Sequence, residues 1–276
     1  MSEPSSAIRP AVAIPIYKTG LTAAEVLSIT RCADVLGRWP LYFIGPERLR
    51  PHLDDLCRRF GAGFQVKTYA DAYFSGITGY NRLMRSVDFY RSFTGHSHLL
   101  IAQTDTLVIA DELAAWCERD VSYVGAPWFV GGSEPTWPLA FSGVGNGGFS
   151  LRRLDDVVRV LQTPRRIPNF VKSRSGGARG PVLWFRRFKH EYWRAYTFEP
   201  LFPSANEDLF WGVLVPAACD FFKVPRPEDA IGFAFEVAPR HLYDLNANRL
   251  PFGCHAWERY DRQFWEEQLP WVRAAT

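Results

Sequence analysis

Short apolar segments alternate with helical patterns along the first half of the chain, and this order restricts the possible folds more than any other feature of the sequence. Residues 11–16 (AVAIPI), 41–44, 64–69 and 99–102 each have the length and composition of a buried strand. Buried strands that alternate with helices form a mostly parallel sheet with helices on both faces. The sequence therefore predicts an α/β fold.

Helical patterns separate these predicted strands. Thr22 and Glu25 have the spacing of a capping box, and apolar residues follow them at every third or fourth position. The same spacing predicts a second helix over residues 49–60 and a third over residues 80–87. Ligands of such sheets bind beyond the carboxyl ends of the strands, so the loops after the first and fourth strands are candidate binding regions.

The pattern changes after residue 120. Residues 123–128 (YVGAPW) predict a short strand that runs into a turn, and a glycine-rich segment at 143–148 precedes an apparent strand. Residues 154–161 have the apolar spacing of a helix. Residues 163–203 hold nine Lys and Arg against two Glu, which predicts a basic insertion.

Composition and charge argue against several classes of protein. A formal net charge of +3 on 276 residues provides no general attraction for nucleic acid. The five cysteines include no CxxC pair, which argues against a zinc ribbon or a disulfide framework and favours a reducing compartment. Neither an apolar run of about 20 residues nor the apolar stretch of a signal peptide occurs. We therefore expect a cytoplasmic protein, or one at the inner face of a membrane.

Gln103, Thr104 and Asp105 follow the fourth predicted strand, at the edge of the sheet where ligands bind. A hard divalent cation prefers oxygen ligands, and one or two carboxylates together with substrate phosphates are sufficient. Asp105 is therefore a candidate metal ligand. An aspartate in a turn or a helix cap is the alternative for this position.

Adjacent glycines at positions 147 and 148 lie within residues 144–152 (VGNGGFSLR). Glycines allow the backbone to approach a ligand closely, and a tight turn or a bulge would explain them equally well. They precede an apparent strand instead of joining a strand to a helix. This order argues against a dinucleotide-binding fingerprint.

Asn206, Glu207 and Asp208 precede a helix predicted over residues 209–213. Ser204 and Glu207 have the spacing of a capping box, and acidic residues are favourable at a helix N-terminus. Asp208 is not needed for such a cap. It is therefore the better candidate for a carboxylate that takes a proton from a substrate hydroxyl.

His255 lies between a glycine turn and a tryptophan in residues 251–257 (PFGCHAW). Either a core residue or a metal ligand fits this position, and the core is the more common place for a single histidine. Cys254 is expected to be a small buried residue, because no second thiol accompanies it as a ligand.

The order of these segments is more informative than any one of them. An acidic motif after a strand, a glycine loop, an acidic helix start and a C-terminal histidine follow one another in GT-A glycosyltransferases, which the chain resembles. It also resembles a bacterial family of uncharacterised glycosyltransferase-like proteins. The matching segments cover roughly residues 11–260 and are 14–18 (IPIYK), 79–84 (GYNRLM), 103–105 (QTD), 123–128, 145–152, 206–208 (NED) and 251–257.

The resemblance implies a GT-A-like fold with a Rossmann-type mixed sheet, mostly parallel and flanked by helices. It implies one domain over residues 1–276, with a nucleotide-binding half at 11–120, an acceptor-side half at 121–265 and the basic insertion at 163–203. The implied enzyme is an inverting hexosyltransferase. It would transfer a sugar from a nucleotide-sugar donor to a hydroxyl group of a glycan or lipid-linked acceptor.

The functional residues of the GT-A group carry over to matching positions. Asp105 resembles the second acidic residue of the DxD motif and His255 the C-terminal histidine, so the resemblance implies that both are metal ligands. Asp208 resembles the general base of inverting enzymes. Contacts with the donor are implied for Ile16, Tyr17, Lys18, Asn81, Arg82, Gln103, Thr104, Gly147 and Gly148.

Gln103 departs from the family pattern, because it stands where the DxD motif has its first aspartate. The change removes one charge from the implied metal site and leaves a metal-independent variant open. Carboxylate and imidazole ligands together suit Mn²⁺ better than Mg²⁺. The basic charge of residues 163–203 favours an anionic acceptor or contact with anionic lipid, and a solvated surface loop is the alternative.

Two other classes of function remain open. A catalytically silent module would bind a nucleotide or a glycan without transfer; Gln103 supports this class, whereas Asp208 and His255 argue against it. A glycoside hydrolase needs two carboxylates across the scissile bond, but it has no use for nucleotide-side loops. The sequence lacks the GxxxxGKS/T motif, which disfavours a P-loop kinase.

Overall fold

A mixed sheet of six strands forms the centre of the protein. The structure, a computed structural model, describes residues 8–61, 63–162 and 206–275. The described residues form eleven strands in all, which are β1 (Pro10–Pro15), β2 (Leu41–Pro46), β3 (Phe64–Tyr69), β4 (His98–Ala102), β5 (Thr106–Val108), β6 (Tyr123–Val124), β7 (Ala126–Phe129), β8 (Phe141–Gly145), β9 (Phe149–Arg153), β10 (Ala234–Phe235) and β11 (Gly253–His255).

The central sheet has the strand order β3-β2-β1-β4-β9-β6. β1 is parallel to β2 and β4, and β2 is parallel to β3. Only β9 runs against its neighbours β4 and β6. The predicted α/β fold with a mixed, mostly parallel sheet is therefore confirmed. Residues from both predicted halves, 11–120 and 121–265, contribute strands to this sheet, and their separate functional roles stay predictions.

The helices are α1 (Ala23–Leu36), α2 (Arg50–Phe60), α3 (Ile77–Leu83), α4 (Val87–Arg91), α5 (Leu113–Cys117), α6 (Leu154–Gln162), α7 (Glu207–Leu209), α8 (Pro227–Ala230), α9 (Pro239–Leu245), α10 (Arg262–Gln268) and α11 (Pro270–Ala275). α7 continues directly into a π-helix, Phe210–Leu214. Within the described ranges, no helix is both long and apolar enough to cross a bilayer. The predicted basic insertion at 163–203 lies outside the described residues.

The side chains of β1 alternate between two buried faces. Val12 and Ile14 belong to the hydrophobic cluster that includes residues of α1 and α2. Ala11 and Ala13 belong to the cluster that includes residues of α3, α4 and α6. A strand that is covered on both faces has no polar side, which explains why its sequence is apolar without alternation.

Residues 123–128 were predicted as a short strand that runs into a turn; the short strand is confirmed, but a second strand follows it instead of a turn. They form β6 in the central sheet and β7 in a separate antiparallel pair with β8. The division falls at Gly125, where a Cβ atom would lie 1.6 Å from the carbonyl oxygen of Gly145. Two backbones cross so closely at this point that only glycine fits.

The single helix predicted over residues 80–87 is also wrong, because the chain forms α3 and α4 instead. Ser86 starts α4 by accepting the N–H of Phe89 at 3.5 Å, and the Tyr90 hydroxyl donates to the carbonyl of Met84 at 2.6 Å. Apolar spacing continues across the break, since both helices pack against the same hydrophobic cluster.

The predicted capping box at the start of α1 is confirmed. Thr22 Oγ1 accepts the N–H of Glu25 at 3.2 Å, and Glu25 Oε2 accepts the N–H of Thr22 at 2.8 Å. Glu25 Oε1 also accepts from the Thr104 hydroxyl at 3.1 Å and lies 3.0 Å from the Lys18 ammonium group. One carboxylate therefore connects the loop after β1 to the loop after β4.

Replacing Thr22 with Ala should lower the free energy of unfolding by about 0.5–2 kcal/mol, because the N–H of Glu25 loses its capping oxygen. Urea denaturation followed by circular dichroism measures this change. Thr30→Ala is the matched control in the interior of the same helix, where the exposed hydroxyl only returns to the carbonyl of Val26. That variant should stay within about 0.5 kcal/mol of the parent, and equal losses would contradict the capping role.

Candidate active site

A cleft of about 440 Å³ lies beside the carboxyl ends of β1 and β4. The strand order reverses between these strands, and ligands of open α/β sheets bind at such a point. The volume of the cleft is within the usual range for small-molecule sites. The cleft is lined by Tyr17, Phe74, Gly76, Ile77, Tyr80, Asn81, Gln103, Asn146, Gly147, Gly148, Asn206, Glu207, Asp208, Glu236 and His255.

Three side chains that are far apart in the sequence lie together here. Asp208, the predicted base, and His255, a predicted metal ligand, line the same cleft. Asp105, the other predicted metal ligand, contacts His255 at its edge. The structure therefore brings the three residues close enough for a common function, and their individual roles stay predictions.

His255 stands between two carboxylates. Its Nδ1 atom is 2.9 Å from Oε1 of Glu236, and its Nε2 atom is 3.3 Å from Oδ1 of Asp105. Burial by itself would lower the pKa of His255, but the two carboxylates raise it to about 10. For Asp105, burial favours a higher pKa, but the contact with His255 lowers the pKa below its ordinary value. His255 lines the cleft, whereas the adjacent Cys254 is fully buried, as predicted.

These residues fit a divalent cation to which the protein contributes two ligands. Two atoms bonded to one ion at about 2.0–2.2 Å can be separated by the distance found between His255 and Asp105. The Nε2 atom of His255 is buried without a hydrogen-bond partner among the described residues. In the same part of the chain, no group of three or more His, Cys, Asp or Glu side chains could hold a metal alone. Substrate phosphate and water would therefore complete the coordination.

Close packing of the protein's own side chains requires glycine at positions 147 and 148. A Cβ atom at Gly147 would lie 1.5 Å from Oε1 of Glu207, and one at Gly148 would lie 2.1 Å from Nε2 of His255. Any larger residue would displace one of these side chains. The glycines do line the cleft, as predicted, but the contacts that demand them come from the protein's own side chains.

Asn146 precedes the two glycines with a φ of 77°, in the left-handed region. Its Oδ1 atom accepts the N–H of Gly148 at 2.8 Å and that of Phe149 at 3.4 Å. These bonds fix the orientation of the amide. Its Nδ2 atom is buried and has no partner in the described part of the chain, so this donor is available to an acceptor on a ligand in the cleft.

A buried ion pair lies beneath the glycine loop. Arg152 Nη2, on β9, is 2.7 Å from Glu207 Oε2, and their side chains are 0% and 5% exposed. Arg152 also donates to the Tyr90 hydroxyl at 2.5 Å, and the backbone N–H of Glu207 donates to Asn81 at 3.1 Å. Burial raises the pKa of Glu207, and the charge of Arg152 opposes that shift.

This pair corrects the capping box predicted for Ser204 and Glu207. Glu207 is the first residue of α7 instead of the fourth residue of a capping sequence. Its carboxylate binds Arg152 and is not available to the start of the helix. Ser204 itself lies outside the described residues.

Asp208 follows Glu207 and lines the cleft. Its Oδ1 atom accepts the N–H of Leu209 at 2.7 Å. Burial raises the pKa of Asp208 above its ordinary value, and the negative charge of Glu236 adds to this shift. A carboxylate with a raised pKa that faces a cleft has the properties of a general base.

Only one of the three residues predicted to contact a nucleotide after β1 lines the cleft. Tyr17 is 52% exposed at its rim. Ile16 packs in the core at 1% exposure, because the strand turns its side chain inward. Lys18 is occupied by its ion pair with Glu25. The Ile16 side chain therefore faces away from the cleft, and the contact of its loop with a nucleotide stays a prediction.

Of the other side chains predicted to contact the nucleotide-sugar donor, some line the cleft and others do not. Asn81 and Gln103 line the cleft, and the backbone N–H of Gln103 donates to the carbonyl of Gly148 at 2.8 Å. Thr104 is buried beneath the loop, where its hydroxyl donates to Glu25. Arg82 is exposed on another side of α3, with its guanidinium 5.7 Å from the ring centre of Tyr73. Neither Thr104 nor Arg82 is among the residues that line the cleft, and their contacts with a donor stay predictions.

Glu236 is the most important cleft residue that the sequence analysis did not identify. It is the only charged residue within residues 230–238 (AIGFAFEVA). Charged residues are rarely buried unless they are paired, so a single carboxylate in such an apolar segment is a signal that could have identified it.

The sequence matches a family profile described as "Protein of unknown function (DUF5672)" over residues 63–255. A search of curated proteins gives no match. Among solved structures, the galactosyltransferase LgtC in complex with donor and acceptor sugar analogs has a TM-score of 0.52 at 13% identity. The similarity covers 96% of this chain and 95% of LgtC. It confirms the predicted GT-A-like fold, and at this identity it shows the fold alone.

Two further glycosyltransferase structures are similar over most of this chain. The apo form of mouse xyloside xylosyltransferase 1 has a TM-score of 0.47 at 11% identity, over 90% of this chain and 97% of that one. The apo form of GlyE from Streptococcus pneumoniae TIGR4 has a TM-score of 0.45 at 12% identity, over 97% of this chain and 62% of GlyE.

Replacing Arg152 with Met should lower the free energy of unfolding by about 3–5 kcal/mol, because the carboxylate of Glu207 is left buried without its partner. Urea denaturation measures the loss. The double variant Arg152→Met, Glu207→Met should recover most of it, since both charges are then removed.

Arg226→Met is the control for loss of an arginine. Its ion pair with Asp229 is exposed, so this variant should unfold almost as the parent does. A double variant as unstable as Arg152→Met alone would contradict the importance of the unpaired charge.

Proposed function

The chain belongs to a family of proteins of unknown function, DUF5672, and we propose that it is a metal-dependent glycosyltransferase. In this proposal a sugar moves from a nucleotide-sugar donor to a hydroxyl group of a glycan or lipid-linked acceptor, with inversion at the anomeric carbon. The GT-A-like fold, which the protein shares with a galactosyltransferase, supports this class of reaction.

The observation that carries the proposal is that Asp208 lines the same cleft as His255, which is in contact with Asp105. Inverting transfer needs a base for the acceptor and positive charge for the leaving diphosphate, on opposite sides of one sugar. Asp208 is suited to the first requirement. Asp105 and His255 are suited to the second as ligands of a cation.

Asp208 would accept the proton of the acceptor hydroxyl while that oxygen attacks the anomeric carbon. The bond from the anomeric carbon to the donor phosphate breaks as the new glycosidic bond forms, and the nucleoside diphosphate leaves with the bonding electrons. Because burial raises the pKa of Asp208, it is a stronger base than an ordinary aspartate.

Asp105 and His255 would hold the divalent cation, Mn²⁺ or Mg²⁺. When bound, such an ion supplies Lewis-acid stabilisation of the charge that develops on the diphosphate. The carboxylates of Asp105, Asp208 and Glu236 would otherwise repel a diphosphate from the cleft. This balance of charge supports metal dependence, although Gln103 stands where a further carboxylate is typical.

Several uncharged groups of the cleft are suited to a nucleotide sugar. The Nδ2 atom of Asn146 and the side-chain amide of Gln103 are hydrogen-bond donors for sugar hydroxyls or phosphate oxygens. The exposed ring of Tyr17 at the rim offers an aromatic surface for the base. An anionic acceptor, suggested by the composition of residues 163–203, is part of the same proposal, as is a cytoplasmic location.

A panel of UDP, GDP, ADP, CDP and TDP sugars tests this function. Release of nucleoside diphosphate is measured with glycan and lipid-linked acceptors, each with and without Mn²⁺, and a thermal-shift assay reports binding. A donor present at about 100 times its dissociation constant should add about 2.7 kcal/mol of stability. Binding without release would favour the silent module, and a panel with neither binding nor release would contradict both proposals.

Asp208→Asn should lower turnover by about 10²–10⁴-fold, because the amide cannot accept the acceptor proton. Donor affinity should change little, since Asp208 is proposed to contact the acceptor. Steady-state kinetics and thermal shift with the donor separate the two effects. Asp244→Asn, an exposed aspartate on α9, is the matched control and should retain full activity. Parent-level turnover in Asp208→Asn would exclude Asp208 as the base.

A further inference from the structure

We infer that Glu236 is a positioning residue, which acts through His255 to keep that imidazole ready to bind a metal ion. The inference rests on the proposed function, because it concerns the metal site of the same reaction. It comes from the contacts of Glu236 with His255.

The pairing of β10 with β11 brings the side chains of Glu236 and His255 together. β10 and β11 are parallel, with Ala234 opposite Gly253 and Phe235 opposite Cys254. Glu236 follows β10 directly, and His255 is the last residue of β11. Their side chains therefore leave the sheet side by side, and the Glu236 Oε1 atom lies 2.9 Å from Nδ1 of His255.

This hydrogen bond determines where the imidazole carries its proton. An ionised carboxylate can only accept, so Nδ1 must be the donor. When a cation takes the place of the proton on Nε2, Nδ1 keeps its proton on the Glu236 side and the lone pair of Nε2 faces the metal. Nε2 is the atom that lies 3.3 Å from Oδ1 of Asp105. The lone pair and the carboxylate oxygen are then adjacent ligands for one cation.

Asp105 alone would favour the opposite tautomer. Its carboxylate would accept a proton from Nε2, and the atom needed for the metal would be blocked. Glu236 offsets this preference from the other side of the ring. Its own side chain is 15% exposed and that of His255 is 17% exposed, so little water is available to replace either partner.

The ring has little freedom to turn away from this arrangement. A Cβ atom at Gly148 would lie within 2.2 Å of both Nε2 and Cδ2 of His255, so the loop backbone lies directly against the imidazole. Carboxylates that orient metal-binding histidines in this way contribute about 10–100-fold to metal affinity or activity.

Mn²⁺ affinity in the presence of each of UDP, GDP, ADP, CDP and TDP tests the inference. Electron paramagnetic resonance measures free Mn²⁺ directly and needs no turnover. Glu236→Ala should weaken Mn²⁺ binding by about 10–100-fold. Glu236→Gln keeps the shape of the side chain but removes its charge, so it should fall between this variant and the parent. Glu258→Ala, an exposed glutamate three residues after His255, should bind as the parent does.

A second measurement reports the ring itself. Two-bond proton–nitrogen correlation spectra of protein with labelled histidine, recorded with Mg²⁺ and nucleotide, should show His255 protonated at Nδ1 alone in the parent. In Glu236→Ala the proton should move to Nε2, where Asp105 accepts it. A merely structural role for Glu236 would change the melting temperature without this change of tautomer, and the Gln variant keeps the test valid if the Ala variant fails to fold.

Parent-like Mn²⁺ affinity in the variants, or a ring that keeps its Nδ1 proton in Glu236→Ala, would overturn the role of Glu236. Neither result would affect the proposed transfer. If the parent protein binds no Mn²⁺ with any of the five nucleotides, the metal site and the role of Glu236 both fail. The donor panel without metal then decides separately whether transfer occurs.

Discussion

A fully buried arginine needs a carboxylate to balance its charge, and the candidate site depends on one such buried ion pair. Arg152 comes from the central sheet, and Glu207 is the first residue of α7. Their ion pair therefore fixes where the helix begins relative to the sheet. Because Glu207 is held beneath the glycine loop, the adjacent Asp208 is placed at the cleft.

The acidic residues of the site fall into three electrostatic situations. Glu207 is neutralised by Arg152, and Asp105 and Glu236 share the imidazole of His255. Asp208 has no ion pair among the described residues, and its pKa is raised by burial and by Glu236. Identical chemical groups thus acquire different properties from their neighbours. This difference is what makes Asp208 a base and the Asp105–His255 pair a ligand set in the proposed reaction.

The sequence was sufficient for features that depend on local pattern. β3 has the predicted bounds, and the capping box at Thr22 is formed as expected, because burial and capping act over a few residues. It was insufficient where distant segments decide the outcome. The division at Gly125 depends on a backbone crossing at Gly145, and the role of Glu207 depends on Arg152. Glu236 stands out in its apolar segment, but its pairing with His255 on β11 depends on a distant part of the sequence.

Gly147 and Gly148 restrict how this family can diverge. Each glycine occupies the space beside one particular side chain, Glu207 for the first and His255 for the second. A larger residue at either position is compatible only with a smaller or displaced partner, so the two members of each pair must change together. Relatives with alanine at the position of Gly148 should therefore lack the histidine as well, and this one position in an alignment would distinguish members without the proposed metal ligand.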